Sequence, residues 1–210
     1  MEKIYFDKTT FIWKEKANFE KNINTLLDEC IRISKKETKW DNYFYCNYSF
    51  DKFEIGNDII KNKTTIIDDL INLNINKCIE LYGEKFNKLS IDCWINIVSS
   101  TKPKQTDIVL GNLKMHKHTD IQREMKSFKP VFTWVYYVQM PDNLKNKDGV
   151  LWIEGQDNKI YSILPNKDDL IIMNGDLPHV PGNSPNSKLD RIVIAGNVGF
   201  DFIKETKSLL

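Results

Sequence analysis

The spacing of apolar residues changes once along this chain, and the change divides it in two. Across residues 17–36, Phe19, Ile23, Leu26, Leu27, Cys30, Ile31 and Ile33 recur at intervals of three and four. That spacing paints one face of a helix. A second helix is predicted over 64–82, through Ile66, Ile67, Leu70, Ile71, Ile75, Cys78, Ile79 and Leu81. Thr64 or Thr65, with Asp68 close by, supplies its start, and Gly83 its stop. Residues 40–58 between them are aromatic and turn-rich, with a short strand expected at 43–50. Beyond Leu89 the runs become short, β-branched and aromatic: 91–98, 131–139, 150–154, 159–164, 169–174 and 191–198. Turn sequences such as PDN, KDG, GQDN, PNKDD and PGNSPN separate them. Many short strands with no helices between them predict a sandwich, barrel or jelly roll. The expected organisation is a helical N-terminal region, 1–90, packed on a β core, 91–210, as one compact unit.

Composition narrows the class. The chain has 210 residues, 41% of them hydrophobic, enough to bury a core without disulfide staples. It lacks an apolar run long enough for a membrane helix, and its first residues, MEKIYFDKTTFIWKEK, lack a signal-peptide core. Cys30, Cys46, Cys78 and Cys93 lie far apart without a CxxC pair, which fits isolated thiols in a reducing, cytoplasmic setting and argues against a zinc knuckle. Thirty basic residues against 29 acidic leave a net charge of +1, so binding nucleic acid through bulk charge is disfavoured. Lysines 102, 104, 114, 117, 126 and 129 nevertheless gather along one stretch, as a solvated rim or as a patch that steers an anionic or nucleic-acid substrate.

The composition is also skewed, with 27 Lys, 26 Ile and 21 Asn but two Ala and three Arg. Lys, Ile and Asn share A/T-rich codons. Where codon pressure writes Lys, a surviving Arg is more often there for the geometry of its guanidinium. Arg191 stands at the start of the strand RIVIAGNV, 12 residues after His179. A fork there could hold a dicarboxylate through paired charge-assisted hydrogen bonds. Asp190 beside it offers the plainer reading of a surface ion pair.

All three histidines fall in the β half. His118, Thr119 and Asp120 close an expected strand, and residues two apart on a strand share a face, so His118 and Asp120 would stand side by side. A histidine from a neighbouring strand, His179, would complete a two-His, one-carboxylate set on one side of a metal, leaving positions open opposite. His116 creates a rival. It shares parity with His118, and His116, His118 and His179 would make a three-His site of the cupin type.

Together, HTD at 118–120, His179 and Arg191, with FTWVYYVQMP at 132–141, DGVLWIEG at 148–155 and the stretch 168–200, resemble the iron(II)/2-oxoglutarate-dependent oxygenases, in their prolyl-hydroxylase-like and phage-type branch. The resemblance covers about 91–200. It implies a mainly β fold with N-terminal helices around a double-stranded β-helix, a distorted jelly roll like that of cupins. It also implies Fe(II) on His118, Asp120 and His179. Arg191 and Tyr137 would hold the far carboxylate of 2-oxoglutarate, and Asn96 and Asn197 would be outlying polar contacts. The reaction implied is a hydroxylation driven by 2-oxoglutarate and O₂, on a protein side chain or a small molecule. The chain departs from the pattern at Val193, where a serine often stands, and in a long segment between the first core strand and the HxD. Tyr136 and Trp152 read as ordinary core aromatics. Two other classes stay open: a non-oxygenase cupin-type metal protein on the three histidines, and a non-catalytic β-barrel binding module whose N-terminal helices form a dimerisation arm.

Overall fold

The computed structural model describes residues 2–6, 10–34, 46–48, 53–54, 66–83, 86, 88–98, 115–119, 131–145, 148–182 and 187–201. It is mainly β, with antiparallel sheets and two helices. In chain order the elements begin with β1 (Glu2–Tyr5), β2 (Phe11–Lys16), α1 (Ile23–Ser34), β3 (Cys46–Tyr48), β4 (Phe53–Glu54) and α2 (Ile66–Tyr82). There follow β5 (Lys88–Val98), β6 (Phe132–Gln139), β7 (Leu151–Glu154), β8 (Ile160–Ile163), β9 (Asp169–Asn174), β10 (His179–Pro181) and β11 (Arg191–Asp201). Both expected helices are present. Residues 20–22 form a 3-10 turn, which delays the start of α1. Among the described residues before α1, Glu2–Tyr5 and Phe11–Lys16 do not continue the helical region expected there; as β1 and β2 they pair with each other on the edge of the larger sheet. No described helix is long and apolar enough to cross a membrane.

Two sheets make the body. The larger runs β1-β2-β9-β6-β11-β5-β3, with β4 also on β5. The smaller runs β10-β7-β8. Strand alternation sorts the side chains of the larger sheet onto two faces. Phe132, Trp134, Tyr136 and Val138 of β6 join Ile192, Ile194 and Val198 of β11 and Leu89, Ile91, Cys93, Ile95 and Ile97 of β5 on the face covered by the helices. Leu26, Cys30 and Ile33 of α1 and Ile67, Leu70, Ile71, Ile75 and Cys78 of α2 close over it. Each such side chain contributes about 1.5–3 kcal/mol when fully buried. The opposite face carries Ile12, Tyr137, Ile171, Met173 and Val193, which pack on Leu151, Ile153 and Ile163 of the smaller sheet. This second core is the space between the sheets, and the candidate site lies in it. Cys30, Cys78 and Cys93 are buried and form no disulfide among the described residues.

One residue ties the helices to the strands. Asp168, at the turn into β9, is almost fully buried and holds a left-handed φ of 67°. Its carboxylate accepts the Tyr136 hydroxyl at 2.8 Å and the Phe19 backbone N–H at 3.1 Å. Its carbonyl accepts Ala17 N–H at 3.0 Å. The entry to α1 is thereby bonded to the end of the sheet. Replacing Asp168 by alanine strands a buried hydroxyl and a backbone donor, and keeps a φ that a β-carbon disfavours. We expect Asp168→Ala to lower unfolding stability by about 2–4 kcal/mol, read as a shift of the urea midpoint. A wild-type midpoint in this variant would show that the corner is not a tie.

Candidate metal centre

The site is built on the free side of β10. β7 occupies one edge of that strand. On the other edge His116 forms a single antiparallel bridge with His179. The two residues exchange both backbone hydrogen bonds, His116 N–H to His179 O at 3.2 Å and His179 N–H to His116 O at 3.1 Å. Directly opposed residues on paired strands project to the same side. The register continues His116–His179–Ile153–Tyr161 across the smaller sheet, and Ile153 lies in the core between the sheets. Both imidazoles therefore face that core. Met115, one residue earlier, packs instead with Val150, Trp152 and Val180 in a separate cluster.

His118 arrives differently from the expectation. It does not end a strand: His118 and Thr119 have helical backbone, following the bridge at His116. Strand parity therefore does not place Asp120 beside His118, and Asp120 itself lies outside the described residues. So do lysines 102, 104, 114, 126 and 129, while Lys117 is exposed. The His118 ring has two near-parallel ring neighbours. It stacks on Trp94 of β5 at 5.3 Å between centroids and 21°, and on His179 at 4.9 Å and 11°. Trp94 was not among the residues singled out from sequence. The signal was present, since it shares the parity of Asn96 in CWINI.

The three histidines converge. Their ligand nitrogens all lie within 4.8 Å of one another, and the Nε2 atoms of His118 and His179 are 3.1 Å apart. His179 Nδ1 sits 3.0 Å from the Leu177 carbonyl, so it carries the proton and leaves the Nε2 lone pair facing the cluster. This donor set, imidazoles with one tautomer fixed by a backbone carbonyl, suits a divalent transition metal. Burial disfavours the charged form of each ring. It lowers His116, and with help from the two neighbouring imidazoles it takes His118 from 6.5 to about 2. His179 falls to about 4 through burial and His116, against a smaller upward pull from the Leu177 carbonyl.

Arg191 opens β11 opposite Val98 of β5, and its guanidinium is buried. It donates to the Gly182 carbonyl at 2.8 Å, three residues beyond His179. One row further in, Asn96, Val193 and Tyr137 face one another across β5, β11 and β6. Burial raises the Tyr137 hydroxyl well above its ordinary range, and the nearby Arg191 charge offsets part of the rise. The tyrosine is therefore a neutral donor at any physiological pH. Asn96 Oδ1 is buried and accepts no hydrogen bond. Asn197 lies two rows from Val193, where the Thr133 hydroxyl donates to its Oδ1 at 2.8 Å, so it belongs to the far end of the sheet. The structure thus groups His116, His118, His179 and Trp94, and groups Arg191 with Tyr137 and Asn96 on the neighbouring strands.

No protein-family model matches the sequence, and no curated protein matches it. Solved structures do. The chain superposes on a Pseudomonas putida prolyl-4-hydroxylase with a TM-score of 0.54 at 12% identity, over 92% of this chain and 89% of that one. The non-heme alpha ketoglutarate dependent carbocyclase SnoK from nogalamycin biosynthesis gives 0.56 at 11%, over 93% and 81%. A 2OG-Fe(II) oxygenase family oxidoreductase from Burkholderia pseudomallei gives 0.50 at 11%, over 82% and 77%. The likeness is one of fold.

The histidine shifts have a consequence for stability. Each ring has a folded value below its unfolded value of 6.5. Between pH 6.5 and about 4 the unfolded chain therefore binds protons that the folded chain refuses, and stability falls as pH falls. We expect the metal-free protein to lose up to about 1.4 kcal/mol per histidine per pH unit in that window. The check compares urea midpoints at pH 7.5 and 5.0 for wild type and His118→Asn after chelator treatment. If removing His118 leaves the pH dependence as steep, the cluster does not carry it.

Proposed function

We propose that this protein is an Fe(II)/2-oxoglutarate-dependent oxygenase, acting as a hydroxylase on a core of double-stranded β-helix type. The observation that carries the reading is the convergence of buried His118 and His179 in the space between the sheets, with buried Arg191 anchored beside β10. It occurs on the fold of proteins whose names specify that chemistry. In this reading His118, His179 and Asp120 hold the iron. When bound, the iron with 2-oxoglutarate and O₂ supplies a two-electron oxidation of substrate, with release of succinate and CO₂.

The chain's own residues then have separate tasks. Leu177 fixes the tautomer of His179 through its carbonyl, and Trp94 fixes the ring plane of His118. The Arg191 guanidinium would pair with the far carboxylate of 2-oxoglutarate, and the neutral Tyr137 hydroxyl would add a donor. Asn96 offers a further polar contact from the facing strand. Apolar Val193, Ile153, Met173 and Leu177 line the space and exclude water around the reacting groups. The primary substrate is a protein side chain or a small molecule. The site is expected to work in a cytoplasmic setting.

A second reading is favoured by one observation, the presence of His116 in the cluster. Three imidazoles without a carboxylate would make a cupin-type metal protein that needs no 2-oxoglutarate. Succinate formation from 2-oxoglutarate, with and without Fe(II), separates the two, and its absence at saturating iron would sink the oxygenase. Within the first reading, Arg191→Lys keeps the charge but loses the planar fork. We expect it to raise the 2-oxoglutarate concentration needed for half-maximal turnover by about 10- to 100-fold, with metal affinity unchanged. Tyr137→Phe should shift it less, in the same direction. An unaltered 2-oxoglutarate dependence in Arg191→Lys would remove the arginine from the site.

A further inference from the structure

His116 is unexplained by the oxygenase reading. Two histidines and a carboxylate already complete the protein's share of such a site, yet a third imidazole is placed among them. Its position is enforced. Both backbone hydrogen bonds of its bridge are made to His179 itself, so ring and ring sit side by side at 4.6 Å between centroids. The ring is 5.2 Å from that of His118, edge-on. Among the described residues its ring nitrogens have no hydrogen-bond partner, as they would if the residue were kept for a structural bond. Its ligand nitrogen falls inside the same 4.8 Å cluster as those of the other two.

Coordination arithmetic gives this imidazole a meaning. A six-position ion held by two histidines and one carboxylate keeps three positions open, two for a chelating 2-oxo acid and one for O₂. A fourth protein ligand leaves two. The chelating acid would fill both, and O₂ would have no place unless that ligand left. A fixed third imidazole therefore either shuts the site or yields.

We propose that His116 is a ligand to the metal held by His118 and His179, and that it gives way when the chelating 2-oxo acid arrives. The displacement rests on the oxygenase reading; the ligand role does not. His116 would hold the metal and withhold an open position while the co-substrate is absent. It is also the ring best placed to leave. The His118 ring lies near-parallel to that of Trp94, and His179 is tied to Leu177, while the His116 ring is the least buried of the three and has no such tie among the described residues.

The test uses Co(II) on the full chain, without oxygen. Each cobalt-bound imidazole contributes one strongly shifted, exchangeable N–H proton resonance. Wild type should show three and His116→Ala two, with a Co(II) affinity lower by at least about tenfold, since loss of even an outlying partner of a ligand costs 10- to 100-fold. Asp120→Ala should keep all three resonances and still bind one equivalent. His116→Gln, which retains a polar side chain of similar reach, guards against a folding defect in the alanine variant and should also show two. Adding 2-oxoglutarate to wild type should reduce three resonances to two. Two resonances in the untreated wild type, or equal affinity in the variants, would overturn the ligand role. Three resonances persisting while 2-oxoglutarate changes the cobalt absorption would overturn the displacement alone. If 2-oxoglutarate changes no signal in wild type or in His116→Ala, the oxygenase reading fails and the displacement with it, while the count of three still supports His116 as a ligand.

Discussion

Eleven consecutive residue pairs join β5 to β11, from Arg191 opposite Val98 to Asp201 opposite Lys88. The rest of the molecule depends on this ladder. β11 also pairs with β6, so one strand fixes the two on either side of it. On the face covered by α1 and α2, the ladder aligns Cys93, Ile95 and Ile97 with Ile192 and Ile194 in a dry core. On the other face, the same register brings Asn96, Val193 and Tyr137 into line and sets Arg191 at the rim. A slip of one residue would exchange the two faces. It would turn a guanidinium into the apolar core and an isoleucine row into the site. The apolar packing of α1 and α2 therefore also guards the geometry of the polar side.

The site itself joins two sheets. His116 and His179 belong to the smaller sheet and Trp94 to the larger, and the His118 ring neighbours both. Its position depends on how closely the sheets approach, which Ile153, Leu151 and Ile163 set by packing on Tyr137, Met173 and Val193. Arg191 adds a polar link, from the first residue of β11 to the carbonyl of Gly182 just beyond β10. Imidazoles that are desolvated and neutral are ready to bind a metal without first shedding protons. A chain that only needed to pack would gain more from leucines in these places. On the proposed reading, the histidines are kept for their lone pairs.

Much of this was readable in the chain. The helical faces of α1 and α2 follow from spacings of three and four. Asp169–Asn174 and the strand starting at Arg191 follow from β-branched runs bounded by PNKDD and PGNSPN. The parity of Tyr136 and Tyr137 also reads directly, one ring lying in each core. β2 was harder. Phe11, Ile12 and Trp13 are all buried, because one face meets the helices and the other the smaller sheet, so no alternation announces a strand. The backbone turn at His118 was not legible either. HTD reads equally well as the end of a strand, and the partner that sets its conformation, Gly175 accepting from the Thr119 N–H, is 56 positions away. The role of Trp94 is not legible from sequence, because it comes from a ring stacked on it from a distant segment, which periodicity within β5 cannot show.

The hairpin of β1 and β2 has a consequence for how the protein is made. Among the described residues β1 pairs only with β2, but β2 pairs with β9, Ile12 opposite Met173. As the chain leaves a ribosome, β1 and β2 are exposed long before β9 exists. They must wait through the synthesis of some 160 residues, with Phe11, Ile12 and Trp13 uncovered. Such long-range closure slows folding and invites association between unfinished chains. Lys3 lies 4.5 to 5.1 Å from the rings of Tyr5, Phe11 and Trp13 and gives this edge a charge. Lysines on an exposed edge are a common defence against neighbouring strands. This hairpin is thus among the last parts to settle, and it carries its own protection while it waits.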